Sequence, residues 1–125
     1  MVKQFAKSAA NAWRGIAFVW RGERNFRIQG TITVVLIIAA MVLRFSIGEL
    51  IAILTMCAAV LAAEMVNTIV EEMLDVIEPH YSTHVGKLKD VTAGVVFLLS
   101  AFAAVIGILT FLHHFLPSMQ FNSIW

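Results

Sequence analysis

Residues 91–112 read VTAGVVFLLSAFAAVIGILTFL, a run without one charged side chain. Coiled at about 1.5 Å per residue, such a run covers a hydrocarbon core about 30 Å thick. Nothing in it pays the cost of burial in lipid except the helix itself, whose backbone groups all bond internally. The stretch predicts a transmembrane helix, and the rest of the chain is read outward from it.

On the carboxyl side, His113, His114 and Pro117 end the span, and a short tail with aromatic anchors runs to Trp125. On the amino side, His80 to Asp90 forms a polar connection holding His84, Gly86, Lys87, Lys89 and Asp90. Pro79 stops the segment before it, because proline cannot continue an interior helical turn. That segment begins near Leu50, is apolar to Ala63, and continues at helical period through Glu64, Asn67, Thr68, Glu71 and Asp75. A further apolar segment runs from Ile28 to Leu43, with Phe26 and Phe45 at the two interfaces. Arg44 and Glu49 bracket a short turn, Phe-Ser-Ile-Gly.

Before these lies an amphipathic helix over Val2 to Arg21, with Phe5, Ala9, Trp13, Ile16 and Trp20 at helical spacing and Lys3, Lys7 and Arg14 on other faces. Tryptophan and basic residues in that pattern predict a helix lying in the membrane interface. The fold class is therefore an all-α membrane protein: an interfacial amino-terminal helix over 2–21 plus three transmembrane helices at 28–45, 50–75 and 91–112. The whole chain, 1–125, reads as a single domain.

Composition agrees. The 125 residues are 60% hydrophobic and 14% charged, with a formal net charge of +1, and the mean hydropathy is +0.86. A soluble domain is nearer one-quarter charged. The balance of charge argues for neither a nucleic acid nor a strongly acidic partner. The single cysteine, Cys57, sits in an apolar run and reads as a small buried hydrophobe; it forms no intrachain disulfide. No Cys/His ligand set points to structural zinc. The amino terminus has no unbroken apolar core before a cleavage site, so it reads as mature protein rather than a signal peptide.

The basic residues give an orientation. Lys3, Lys7, Arg14, Arg21, Arg24 and Arg27 precede the first span, and Lys87 and Lys89 precede the third. Three spans put both groups on one side, and the positive-inside rule makes that side cytoplasmic.

The chemistry is concentrated in Glu64, Asn67, Thr68, Glu71 and Asp75, whose spacing sets them on one stripe of one helix. Glu64 falls about 20 Å and Glu71 about 30 Å from Leu50, so the first is inside the membrane edge and the second at the interface. A carboxylate in a span costs about 3 kcal/mol by insertion scales, and such residues face a protein interior or a wet cleft. Carboxylate oxygens suit a hard cation such as Mg2+, which keeps waters or phosphates in its other positions. Glu71 and Glu23, on the same membrane side, are the pair available for it. Lys89 and Asp90 fall on that side too, and a lysine there suits phosphate. The same stripe is also compatible with a polar seam between helices, or with a non-catalytic or ion-conducting assembly whose axis it lines. A pore would need the stripe alone; a phosphate-handling cleft needs Glu23 and Lys89 as well.

Three elements resemble the prokaryotic diacylglycerol kinase/undecaprenol kinase family of small membrane-integral lipid kinases. EMVNTIVEEMLD at 64–75 resembles its Glu-x-x-Asn-(Ser/Thr)-x-x-Glu-x-x-x-Asp signature, Gly86-Lys-Leu-Lys-Asp90 its Lys-Asp element opening the last span, and Glu23-Arg-Asn-Phe-Arg27 its acidic residue before the first. The resemblance covers Ala9 to Leu112. It implies ATP-dependent phosphorylation of a membrane lipid alcohol in the cell membrane by a homotrimer. Glu64 would then be the general base and Asn67 would bond near the γ-phosphate. Glu23 and Glu71 would bind the Mg2+ of ATP, Lys89 would meet phosphate oxygens, and Asp90 would help order the nucleotide. Ile69 departs from the family's usual small residue, and Asn11 stands where some relatives carry an aromatic near the nucleotide. The Glu23–Phe26 and Asn67-Thr68 forms resemble the undecaprenol branch, whereas Gly86 before Lys87 resembles the diacylglycerol branch. Undecaprenol is the expected acceptor and diacylglycerol the alternative.

Overall fold

The computed structural model describes residues 1–80 and 82–116. Pro117 and the aromatic tail to Trp125 lie outside the described residues. Four helices follow one another: α1 Val2–Gly22, α2 Arg24–Val42, α3 Ile47–Ile77 and α4 Thr83–Phe115. No strand occurs among the described residues. The last three helices are long and apolar enough to cross a membrane. Large side chains such as Val34, Phe97, Phe102 and Ile108 point outward from them, as expected where lipid rather than water surrounds the helices.

α1 and α2 meet at a one-residue corner. Glu23 is extended (φ −108°, ψ 115°), yet its N–H still donates to the Val19 carbonyl at 2.8 Å. Arg27 closes the end of α1: its guanidinium donates to the carbonyls of Trp20 (2.9 Å) and Arg21 (3.1 Å). The helix end so gains the cation its exposed carbonyls favour. Trp20 packs edge-on to the buried Phe26 and lies over Gly30, where a Cβ would come within 2.7 Å of the indole.

The α2–α3 connection has the expected four residues but lies two positions earlier, at Leu43–Ser46 rather than Phe45–Gly48, because Ile47 and Gly48 already belong to the first turn of α3. Arg44 takes φ 59°. The N–H of Phe45 donates to the Ala40 carbonyl (2.9 Å) and that of Arg44 to the Met41 carbonyl (3.2 Å), the paired bonds of a Schellman ending. Ser46 then caps α3. Its hydroxyl accepts from the Glu49 N–H at 3.3 Å while the Glu49 carboxylate accepts from the Ser46 N–H at 2.7 Å, a reciprocal capping box.

That carboxylate also ties down the end of α4. The Glu49 oxygens lie 3.0 Å from His113 Nδ1 and 3.2 Å from His114 Nδ1. The His114 ring stacks on Phe45 with centroids 4.1 Å apart. The carboxyl end of α4 and the α2–α3 turn are thus level, at one face of the bundle.

At the other face the helices are unequal. α2 has 19 residues and measures about 28 Å, close to a hydrocarbon core. α3 and α4 have 31 and 33 residues and measure about 46 and 50 Å, so both protrude on the side that carries α1. α4 begins at Thr83, eight residues before the span expected from Val91, because the Ser82 hydroxyl accepts from the Val85 N–H (3.1 Å) and starts a helix there. Most of the expected polar connection is therefore helical. α3 packs against α2, against α4 and against α1, while no Cα of α2 comes within 8 Å of one of α4.

Candidate functional site

The long helix α3 carries the polar stripe, and its burial is uneven. Glu64 (6% exposed) and Thr68 (4%) are its buried polar residues. Measured from Ile47, Glu64 lies about 25 Å along the axis and Glu71 about 36 Å. The start of α3 at Ile47 rather than Leu50 thus places both a little farther along than expected, Glu64 still beneath the edge of a 30 Å core and Glu71 beyond it.

Each stripe residue has a distinct local role. The Thr68 hydroxyl donates to the Glu64 carbonyl at 3.0 Å, which satisfies the hydroxyl within the helix and leaves the Glu64 carboxylate unengaged by it. Asn67 Nδ2 donates to Glu71 Oε1 at 3.0 Å, fixing the direction of that carboxylate. Asn67 Oδ1 is buried with no partner. A buried acceptor left without a donor is costly and calls for an explanation in function or solvent. Here it lies beside two carboxylates, one of them already bonded through the same amide.

Glu23 comes in from the α1–α2 corner, where it is half-buried. It and Glu71 both act electrostatically on Glu64. Three carboxylates from two elements therefore share one neighbourhood. Lys89 comes in from α4: its ammonium pairs with the Asp75 carboxylate and also feels Glu71 and Glu72. The expected contact of Lys89 with phosphate is thus occupied by Asp75, a stripe residue whose partner the sequence did not reveal. Asp90 is exposed; one position along α4 from Lys89, it turns by about 100° from the face that meets α3. The geometry gathers Glu23, Glu64, Asn67 and Glu71, sets Lys89 nearer the outer end of the stripe, on Asp75 and in the field of Glu71, and leaves Asp90 at their margin.

Among the described residues no group of three or more His, Cys, Asp or Glu side chains is arranged to hold a metal ion. Mg2+ does not need one: it binds through one or two protein carboxylates and completes its shell with water and phosphate oxygens. Glu23, Glu71 and the orphaned Asn67 Oδ1 fit that demand.

The signals that sequence reasoning passed over are single polar residues in apolar runs. Gln29 in α2 and Ser100 in α4 line a cavity of about 750 Å3 that reaches Val60, one turn from Glu64. Nothing in their spacing distinguishes them from span residues bonded to their own helix.

The structure thus defines a multi-pass membrane protein with a carboxylate-rich, lysine-containing cleft where its longest helices leave the bilayer. The profile of the prokaryotic diacylglycerol kinase family matches residues 10–111. A protein of Synechocystis sp. named diacylglycerol kinase is 37% identical over 97 residues, which cover 76% of this chain and 54% of the relative. Diacylglycerol kinases of Escherichia coli K12 and Shigella flexneri are each 23% identical over 109 residues, covering 87% of this chain and 89% of theirs. The chain spans about half the length of the first of these relatives and nearly all of the others. It belongs to the prokaryotic diacylglycerol kinase family, a family of lipid kinases.

Proposed function

We propose that this protein transfers the γ-phosphate of ATP to the hydroxyl of a membrane lipid alcohol, at the cleft formed by α1, α3 and α4. The observation that carries the reading is Glu64: a carboxylate buried at the membrane edge, with Glu71 of the same helix and Glu23 of the α1–α2 corner acting on it, and Lys89 of α4 within the field of Glu71. The lipid hydroxyl arrives from the side, within the bilayer. Its oxygen attacks the γ-phosphorus, the bond from that phosphorus to the ADP oxygen breaks, and the hydroxyl proton passes to Glu64. A general base in reach of its proton contributes about 10²–10⁴-fold.

The remaining side chains position charge, which is most of what phosphoryl transfer asks of a protein. Glu23 and Glu71 are the residues to hold Mg2+, whose role when bound is to neutralise the phosphate oxygens. Asn67 orients Glu71 through its amide N–H and offers Oδ1 to a water or a hydroxyl. Lys89 exchanges Asp75 for a phosphate oxygen, and Asp90 lies at the nucleotide's outer edge. The side bearing α1 is the cytoplasmic side of the cell membrane, where ATP is found. The active form is a homotrimer; the apolar outer faces of the helices support association of copies.

Diacylglycerol is the acceptor that the relatives' names support. Undecaprenol is the second reading, and one observation favours it: the donors nearest the stripe are engaged. Thr68 donates to the Glu64 carbonyl, Asn67 to Glu71 and Thr92 to the Lys89 carbonyl, so none of these three is left to read an ester. Transfer of labelled γ-phosphate from ATP to each lipid by the purified full chain in mixed micelles, with and without Mg2+, tests the function. Absence of Mg2+-dependent transfer to either lipid would remove it.

A further inference from the structure

The cleft continues into the bilayer as a groove with a polar head. α2 and α4 stand apart, with no Cα pair within 8 Å, and the face of α3 between them floors the cavity of about 750 Å3. Val60 lies on this floor, and Glu64 and Thr68 follow it at one-turn intervals on the same buried line of α3. The groove and the reactive stripe are therefore one surface, apolar toward the bilayer centre and acidic toward its edge.

Among the groove's polar side chains, Ser100 and Gln29 stand nearest Glu64. The Ser100 hydroxyl is buried with no hydrogen-bond partner, unlike Thr68, Thr92 and Thr110, whose hydroxyls all bond within their own helices. The Asp75–Lys89 pair fixes the antiparallel register of α3 and α4. Eleven residues inward from that pair on each helix lie Glu64 and Ser100, so the two are at the same depth. Gln29 lines the groove with Val60, one turn deeper, and makes no hydrogen bond among the described residues. Its amide and the Ser100 hydroxyl, the latter covered but unpartnered, thus stand without protein partners at the head of an apolar channel, just below the depth of the reacting carboxylate and level with it.

We infer that Gln29 and Ser100 are specificity-determining residues that donate to the ester carbonyls of a diacylglycerol, with the acyl chains in the groove between α2 and α4. The inference rests on the kinase reading and names its acceptor. The dimensions agree: the ester carbonyls of a diacylglycerol stand about 5 Å from its free hydroxyl, one helical turn. With that hydroxyl at Glu64, they fall between the levels of Ser100 and Gln29. A polyprenol has no carbonyls and would leave both donors unpaired in an apolar channel. Sites that hydrogen-bond part of a substrate discriminate strongly against analogues lacking it. The engaged donors on the stripe do not bear on this, because the ester readers are on the two helices that face it.

The test compares the full-length protein with Gln29→Met, Ser100→Ala and the double variant, in mixed micelles holding diacylglycerol or a polyprenol at matched mole fraction. The wild-type protein is expected to show the higher kcat/KM with diacylglycerol. Each single variant is expected to lower that value about tenfold, mainly through KM, in line with the loss of one hydrogen bond, while its rate on the polyprenol does not fall, because the removed donor is one the polyprenol leaves unpaired. The polyprenol rate also reports that each variant is folded. A wild-type preference for the polyprenol overturns the inference and leaves the kinase standing, as do equal losses on both lipids or no loss on either. No transfer to either lipid by the wild-type protein removes the kinase reading and this inference with it.

Discussion

Replacing Glu71 with glutamine isolates charge from shape. Glu71 Oε1 accepts from Asn67 Nδ2 at 3.0 Å, and the oxygen of a glutamine amide accepts the same bond. The helix continues unaltered on both sides, so the unfolding midpoint should stay close to that of the wild type. What disappears is one negative charge, the one that on the proposed reading holds the cation of a bound phosphate. Two unit charges about 4 Å apart near a protein surface interact by about 4 kcal/mol at an effective dielectric constant of 20. That is about a thousandfold in rate, at about 1.36 kcal/mol per decade, and direct ligation is closer than 4 Å, so a thousandfold is a lower bound. The assay is γ-phosphate transfer to lipid across a Mg2+ titration, with far-ultraviolet circular dichroism as the check on folding. A variant within tenfold of the wild type at saturating Mg2+ refutes the assignment of Glu71 to the metal.

Other substitutions separate the remaining roles. Glu64→Gln should lower kcat by about 10²–10⁴-fold, the usual worth of a general base, with little change in KM for ATP; a collapse of ATP affinity at preserved kcat would make Glu64 a nucleotide ligand instead. Lys89→Met should raise KM for ATP several-fold and leave thermal stability nearly unchanged, since partly exposed ion pairs such as Lys89–Asp75 stabilise little; an unchanged KM would leave Lys89 as a structural partner of Asp75 alone. Ser46→Ala removes one half of the capping box on α3 and should destabilise the fold by about 1 kcal/mol, read as a lower midpoint in detergent unfolding with kcat unaffected.

The architecture was legible because its signals are local. An uncharged run over 91–112 can hardly be anything but a span, and Trp13, Trp20 and the basic residues around them mark an interfacial helix. The stripe on α3 was legible for the same reason, since five polar residues at helical spacing must share a face whatever the tertiary structure. What stayed hidden depends on partners far away in the chain. Glu49 meets His113, 64 positions further along the chain, and Lys89 meets Asp75 across a helix–helix turn, and no periodicity announces either. The start of α4 was hidden because a serine hydroxyl, Ser82, outweighs the polar composition of the residues it caps. Arg27 read as one more basic anchor, whereas it closes the end of α1. Gln29 and Ser100 carried no signal until the gap between α2 and α4 showed which way the open face of α3 points.

The unequal lengths of the helices have a mechanical consequence. α3 and α4 are pinned to the α2–α3 turn at one membrane face by Glu49, His113, His114 and Phe45, so distances are counted from that face. Glu64 stands at a set height above it, like a mark on a ruler. The lipid hydroxyl stands instead at the surface of whatever bilayer surrounds the protein. In a thicker bilayer the acceptor rises above the mark, in a thinner one it sinks below, and tilting of α2 absorbs only part of the difference. On the proposed reading of Glu64 as the base, membrane thickness is therefore written into its alignment with the lipid hydroxyl, by residues at the opposite membrane face.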